Sequence, residues 1–380
     1  FTLSQYGLSP IKQRLNHTIS TISPALWKYT ILPKISLTFL STLDMLYIPT
    51  LRRMTSCQDR RQLIDVFKPM MADLLTLHSH DIRTLTFTHF FSLTNYCINY
   101  FLTTLSIPLD LFQPIKSKHY TTYSKLTQEI RLETISHPQQ LALLVYLSCR
   151  SNWLDLMVPT MSQFEDGFKA EINELLDSSL EFTDVISFSP YFHVTQLHQI
   201  TQGSQKSIVY ELDNSGEVMI DLMLIEYLLT LGHSITVFGK KTPVLNDITY
   251  DDLSEIFKDP NQSRFSHFIQ QKTLKFYDTG SVTVGKDVYH VSTEYKNAVQ
   301  SAQLLILKGQ GNFQSMPMGR RYRNQFIPFQ YKTPILYLLS PKSQITYQAI
   351  KKLFTPSYQP TLNSVFCYYF NAKDSHTWPK

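Results

Sequence analysis

The apolar positions divide the chain into two textures. Up to about residue 180 they recur at helical spacing. Gln62 to Leu77 sets Leu63, Val66, Phe67, Met70, Met71, Leu74 and Leu75 on one helical stripe. Pro69 interrupts that stripe, so a break or kink is expected there. Leu126 to Leu147 carries a similar pattern, with Pro138 expected to open a second helix, since proline is tolerated in a first turn. Phe164 to Leu176 predicts another helix.

From about residue 205 the apolar positions come in short runs. Ser207 to Leu212 is a β-rich run, and the stretch from Glu217 to Leu231 then has helical periodicity, with Gly232 as its stop. Ser234 to Phe238, Leu304 to Leu307 and Ile335 to Leu339 repeat the buried-strand pattern. Strands alternating with helices predict an α/β fold: a Rossmann-like, mostly parallel sheet flanked by helices. An N-terminal all-helical domain is expected over residues 1–185 and the α/β catalytic domain over 186–380. A chain of 380 residues fits two domains.

Composition narrows the classes. At 43% hydrophobic and 17% charged the chain can bury a sizeable core, which excludes disorder as the main state. A net charge of +5, without a long Lys/Arg run, suits small anions and argues against nucleic acid. Cys57, Cys97, Cys149 and Cys367 form no CxxC pair, which argues against a zinc ribbon, a redox pair and a disulfide scaffold. Cys149 and Cys367 sit in apolar runs and are expected in the core. Thr84 to Leu109 lacks Asp, Glu, Lys and Arg and is long enough to span a bilayer. Its many Ser, Thr, Asn and His residues favour a buried helix, so no membrane partner is expected. No signal-peptide pattern is visible, which makes the cytoplasm the expected compartment.

Ligands of parallel sheets bind beyond the carboxyl ends of the strands, which directs attention to the polar clusters there. The first is Asp213-Asn214-Ser215-Gly216-Glu217. A carboxylate beside an amide oxygen suits a hard divalent cation, and Glu217 opens a helix. The competing reading is that Asn214 or Ser215 caps that helix while Asp213 makes a turn. The second cluster, Pro243 to Thr249, offers Asp247 as another ligand, against a capping role for the segment at Thr249 and Asp251. The third is Lys308-Gly309-Gln310-Gly311-Asn312. Its glycines and lysine read as a phosphate cradle or as a plain glycine turn. It lacks the spacing of a P-loop and of a dinucleotide fingerprint. Asn152 and Asp155, three residues apart at a helix end, and Lys342, after the last apolar strand, are further candidates against a solvated surface role. No GxSxG elbow and no HExxH motif is present.

Taken in order these segments resemble one family, the metal-dependent damage-control phosphatases, first catalogued as domain of unknown function 89. The resemblance runs through Leu212 to Glu217, Asp221 to Glu226, Leu229 to His233, Pro243 to Thr249, Ser292 to Tyr295 and Ile306 to Ser315. Asp110 to Lys116 and Ser151 to Asp155 resemble the family's helical-domain signatures. The match covers roughly residues 105–345. It departs at Ser151, where the family usually has Gly, at the bulky Trp153, and over residues 1–100, which do not match.

The resemblance implies a helical domain on a Rossmann-like domain, and a divalent metal (Mn, Co, Ni or Mg) held by Asp213, Asn214 and Asp247. It implies phosphate binding by the Lys308 loop with Gly309, Gly311 and Asn312, and a pocket contribution from Asn152 and Asp155. The expected partner is a small phosphorylated metabolite, a sugar phosphate or damaged phosphometabolite, hydrolysed as a phosphate monoester. Asp213, Asp247 and Lys308 are the expected catalytic set. Glu217 and Lys342 complete the expected phosphate contacts. Two other readings compete. A binding or effector protein that has kept the fold should have lost the metal ligands. A methyltransferase-like Rossmann protein should have a glycine-rich first loop, whereas this one is acidic with the single glycine Gly216.

Overall fold

The computed structural model describes residues 103, 109–135, 139–155, 167–168, 170–171, 194–286, 291–316, 319–322, 325–328, 331–342, 346–347, 350 and 365–371. The helix expected over Gln62 to Leu77, Cys57, Cys97, Pro138, the boundary at residue 185 and nearly all of Thr84 to Leu109 lie outside them. Gln113–Ser281 with Gly285–Lys380 form one compact unit, and Phe1–Phe112 with Val282–Val284 form another.

The centre of the larger unit is a six-stranded sheet built from β1 (Ser207–Glu211), β2 (Ser234–Gly239), β3 (Leu274–Asp278), β4 (Leu304–Lys308), β7 (Ile335–Leu339) and β8 (Phe366–Phe370). The order is β3-β2-β1-β4-β7-β8. Every neighbouring pair is parallel except β7–β8. β5 (Gly319–Tyr322) and β6 (Gln325–Pro328) form a separate antiparallel pair. The expected mostly parallel α/β sheet is therefore present, with an antiparallel strand at one edge.

The short runs read as strands because both sheet faces are covered, so alternation is lost. Ile208 and Tyr210 pack in one core cluster with Leu304, Ile306, Leu336 and Leu338. Val209 packs in another with Leu305, Leu307, Ile335, Tyr337 and Leu339. The period-two geometry of a strand sends successive side chains to these two layers.

The first layer also contains helices α1 (Gln113–Ile135), α2 (Gln140–Arg150), α3 (Val194–Thr201) and α4 (Val218–Thr230), each contributing buried side chains. α4 is buried on nearly all sides, from Val218 to Ile225 and again at Leu228 and Leu229. Each such fully buried aliphatic side chain contributes about 1.5–3 kcal/mol relative to exposure. The helix stops where Gly232 takes φ +88°, a left-handed value that glycine adopts without a Cβ penalty. Cys149 and Cys367 are buried in the same layer, and burial pushes the Cys149 thiol up to about 12. Among the described residues no helix is long and apolar enough to cross a membrane.

The second half of the unit adds α5 (Tyr250–Lys258), α6 (Ser266–Gln270), α7 (Thr293–Ser301) and α8 (Gly309–Ser315). α8 corrects one expectation. The segment after β4, read as a glycine loop, continues as a short helix, and the turn is confined to Gly309 at φ +78°.

Candidate active site

The carboxyl ends of β1 and β2 deliver two loops that clamp each other through their main chains. Ile248 N donates to Asp213 O at 2.9 Å, and Ser215 N donates to Asn246 O at 2.8 Å. Asn214 and Asp247 thereby form an antiparallel bridge. Asp213, Asn214 and Asp247, 34 positions apart at their extremes (247 − 213), are brought side by side. All three are buried.

The capping alternatives resolve differently in the two loops. Thr249 caps α5: its side chain accepts from Asp252 N, while Asp252 accepts from Thr249 N. Lys116 on α1 donates to the same Asp252 carboxylate at 2.8 Å. Asp247 is left out of the cap. In the first loop Asn214 Oδ1 accepts from Gly216 N at 2.9 Å, a local turn, and α4 begins without a side-chain cap. His119 Nδ1 and Ser215 Oγ lie 2.9 Å apart.

Glu217 is the hub of the cluster. Its Oε1 accepts from Asn214 N, Asn214 Nδ2 and Asn152 Nδ2, at 2.8–3.2 Å. Its Oε2 pairs with Lys308 Nζ at 2.8 Å. Asn152 Nδ2 also donates to Asp213 Oδ2 at 3.1 Å. Glu217, expected among the phosphate contacts, orients two amides and an ammonium here.

Lys308, expected in the catalytic set, is also held by neighbours within the protein. It is fully buried, and its Nζ donates to Ser148 O, Glu217 Oε2 and Asp221 Oδ1. An ammonium has three N–H bonds, and here each has an acceptor. Burial works against this charge, yet Asp221 and Glu217 outweigh it and hold the ammonium above the ordinary lysine range. Asp221 Oδ1 also accepts from Ser148 Oγ and Tyr210 OH. Burial pushes the Asp221 carboxyl up to about 7 against the pull of Lys308.

The neighbouring glycines are required by close approach. A Cβ on Gly309 would overlap the Asp213 carboxylate, and one on Gly216 would overlap the Leu154 carbonyl. Asn312 Nδ2 donates to Leu212 O and Lys308 O, tying α8 to the ends of β1 and β4. The Gly311 carbonyl lies against Gly285, which has φ +68°. Gly285→Ala is therefore expected to cost about 1–3 kcal/mol, from left-handed strain plus overlap with that carbonyl. A urea titration checks this, and an unchanged midpoint would contradict it.

Asn152 lies in the 3-10 turn Ser151–Trp153, and Asp155 lies beyond it, so the two do not share an α-helical face as expected. Both are nevertheless buried at the site. Asp155 pairs with Lys342 Nζ at 2.7 Å, and Lys342 N donates to Gln310 Oε1. Lys240 and the pair Lys286–Glu211 (2.9 Å) complete the cluster.

A family model for the damage-control phosphatase ARMT1-like domain matches residues 48–353. The chain belongs to this family. The match reaches upstream well past residue 105, where the recognisable motifs end, and takes in half of the stretch that looked unmatched. A damage-control phosphatase of Pyrococcus horikoshii, PH1575, is 32% identical over 112 residues, which is 29% of this chain and 35% of that protein. An uncharacterized protein of Methanocaldococcus jannaschii, MJ0202, is 30% identical over 146 residues, 38% of this chain and 41% of that protein. A damage-control phosphatase of Archaeoglobus fulgidus is 21% identical over 200 residues, 53% of this chain and 58% of that protein. The chain thus aligns with between about a third and three fifths of these curated relatives' lengths. The crystal structure of PH1575, described as a duf89 family protein, superposes with a TM-score of 0.59 at 20% identity. That superposition covers 90% of this chain and 98% of the other, and it shows the shared fold.

In this damage-control phosphatase homologue the electrostatics of the cluster are under-compensated. Burial raises the Asp213 carboxyl to about 6, with Lys342 and Lys240 pulling it back and Glu217 and Asp155 adding to the rise. Burial also pushes Asp247 well above the carboxylate range, with Lys240 opposing and Asp213 and Asp155 reinforcing. Asp247 Oδ2 and Asn152 Oδ1 are buried and accept no hydrogen bond. Among the described residues no three His, Cys, Asp or Glu side chains form a ready metal cluster. The available donors are two carboxylates and the Asn214 amide oxygen. An all-oxygen set with one or two carboxylates suits a hard divalent ion that keeps several waters. Such an ion would also offset the mutual repulsion of Asp213 and Asp247. The residues present therefore fit a divalent cation.

The expected site residues are thus gathered around one point, while Lys240, Lys286, Glu211 and Asp221 were not expected there. Two signals could have found some of them. Lys240 directly follows β2, where the strand-end rule applies. Asp221 is an isolated charge in an apolar helix, one turn beyond Glu217.

Proposed function

We propose that this family member is a metal-dependent phosphatase that hydrolyses phosphate monoesters of small metabolites, such as sugar phosphates or damaged phosphometabolites. The observation that carries this reading is the main-chain clamp between Asp213-Asn214 and Asp247, which gathers two under-compensated buried carboxylates beside buried lysines. Family membership supports it.

Asp213, Asn214 and Asp247 would hold the cation (Mn, Co, Ni or Mg). When bound, it would supply Lewis-acid polarisation of a phosphoryl oxygen and a lowered pKa for water. The chain's own residues supply the rest. Lys342, steadied by Asp155, offers positive charge to the substrate's phosphoryl oxygens. Asn152 and Glu217 fix the orientation of Asp213 and Asn214. A carboxylate of the Asp213/Asp247 pair is placed to orient or deprotonate water. Burial keeps the dielectric low, so each of these charges acts more strongly than in water.

Substrate class and pH each provide a test. A panel of phosphate monoesters, including sugar phosphates, is expected to be hydrolysed, whereas bis-p-nitrophenyl phosphate is not. Preferential hydrolysis of the diester would contradict the reading. The metal-free Asp213 and Asp247 carboxyls have raised pKa values, so the folded state holds protons that the unfolded state releases. For Asp213 this contribution to stability is complete below about pH 4 and is lost as pH rises through about 6, and the Asp247 contribution is lost at a pH well above the ordinary carboxylate range. The rise in melting temperature on adding manganese is expected to grow between about pH 5 and pH 7.5, as those protons no longer compete. A manganese shift that is independent of pH would contradict this.

A further inference from the structure

Lys240 directly follows β2, and its main chain is held on both sides. Lys240 N donates to Ile248 O, and Tyr250 N donates to Lys240 O. Gly239 permits this, because a Cβ there would press on the Thr249 and Ile248 main chain. The position of the Lys240 side chain is thereby fixed by the same loop that carries Asp247.

The Lys240 ammonium is buried, with 1% exposure, and makes one hydrogen bond, to Gly285 O at 2.5 Å. The Asp247 Oδ2 atom lies 3.7 Å away, beyond hydrogen-bond range, and itself has no hydrogen-bond partner. Two of the three Lys240 N–H bonds thus lack an acceptor in a place closed to bulk water. Leaving buried charged donors unmet is costly. Native structures keep such groups chiefly where a ligand, ion or water completes them.

The other buried lysines are better matched. Lys308 has three acceptors. Lys286 pairs with Glu211 and reaches Asn312 Oδ1 at 3.5 Å. Lys342 has Asp155 and retains donors to spare. Lys240 and Lys342 thus both keep unused donors, and both act on the Asp213 carboxyl.

We propose that Lys240, together with Lys342, meets the oxygens of the substrate's phosphoryl group, and that Lys308 is a positioning residue acting through Glu217. This rests on the phosphatase reading and deepens it. A tetrahedral oxyanion supplies the acceptors that Lys240 lacks, through charge-assisted hydrogen bonds. No bond is made or broken by Lys240 in this role; it neutralises charge.

The test uses inorganic phosphate as the probe, titrated calorimetrically into the manganese-loaded protein. Wild type, Lys240→Gln and Lys240→Arg are compared, with manganese affinity and melting temperature measured on each. Phosphate affinity is expected to fall about tenfold to a hundredfold in Lys240→Gln, the effect of one charge-assisted hydrogen bond, and to recover in part in Lys240→Arg. Manganese affinity should not fall in parallel. Wild-type and Lys240→Gln protein binding phosphate equally well would overturn the Lys240 assignment and leave the phosphatase reading standing. A wild type that neither binds phosphate nor releases it from any monoester would overturn both. A crystal of the wild type soaked in tungstate decides the matter if Lys240→Gln does not fold. The anion is expected within hydrogen-bond reach of Lys240 Nζ, and an anion bound at Lys308 instead overturns the proposal.

Discussion

Asp213→Ala is expected to reduce metal-dependent phosphate release by about a thousandfold or more, the scale of removing a principal source of transition-state charge stabilisation. The fold should survive the change. The clamp between the two loops runs through the Asp213 carbonyl, which accepts from Ile248 N and does not depend on the side chain. The carboxylate itself accepts a hydrogen bond from Asn152 Nδ2 at 3.1 Å. Burial holds its pKa at about 6, which marks it as costly to the metal-free fold near neutral pH. The melting temperature of the metal-free variant should equal or exceed that of the metal-free wild type. Turnover at the wild-type rate would remove Asp213 from the site. A collapsed melting temperature would show that its carboxylate serves the fold.

Lys308→Met carries the largest expected effect on stability. The substitution keeps most of the side-chain volume but leaves Glu217 and Asp221 facing each other without their cation, in a region with no exposure at either carboxylate. Breaking a buried ion pair from one side costs about 3–5 kcal/mol. Ser148 O, near the end of α2, loses one of its donors as well and keeps Ser151 Oγ. Chemical denaturation of the metal-free variant is the measurement. A residue that served mainly to contact phosphate would change substrate affinity and leave the denaturation midpoint nearly unchanged. An unchanged midpoint would therefore restore Lys308 to a contact role and contradict its role as a tie.

How far the sequence could be read depended on the range of the interactions. The strands at Ile208, Ile235, Leu304 and Ile335 were legible because a sheet covered on both faces writes itself as short apolar runs. The cap at Thr249 was legible because it is a local hydrogen-bond pattern. Asp213 and Asp247 could be picked out because each lies in a polar loop after a strand. The partners of the lysines were another matter. Lys308 meets Ser148 across 160 positions and Lys342 meets Asp155 across 187, and no local spacing encodes such pairings. The glycines at 309 and 311 read as a phosphate loop because their chemistry allows one. The close approach found at Gly309 is to the Asp213 carboxylate, and the Gly311 carbonyl in turn crowds Gly285; neither pairing is between sequence neighbours. Lys286 carries no local signal; its burial against Glu211 and Tyr295 is set by the loop after β3.

The most direct test of the account is phosphate release from p-nitrophenyl phosphate and sugar phosphates by metal-stripped wild-type protein, before and after adding back Mg, Mn, Co or Ni. The account predicts no turnover without metal and restored turnover with at least one of the four. Folded protein that stays inactive with every metal, or that turns over equally well without any, would contradict it.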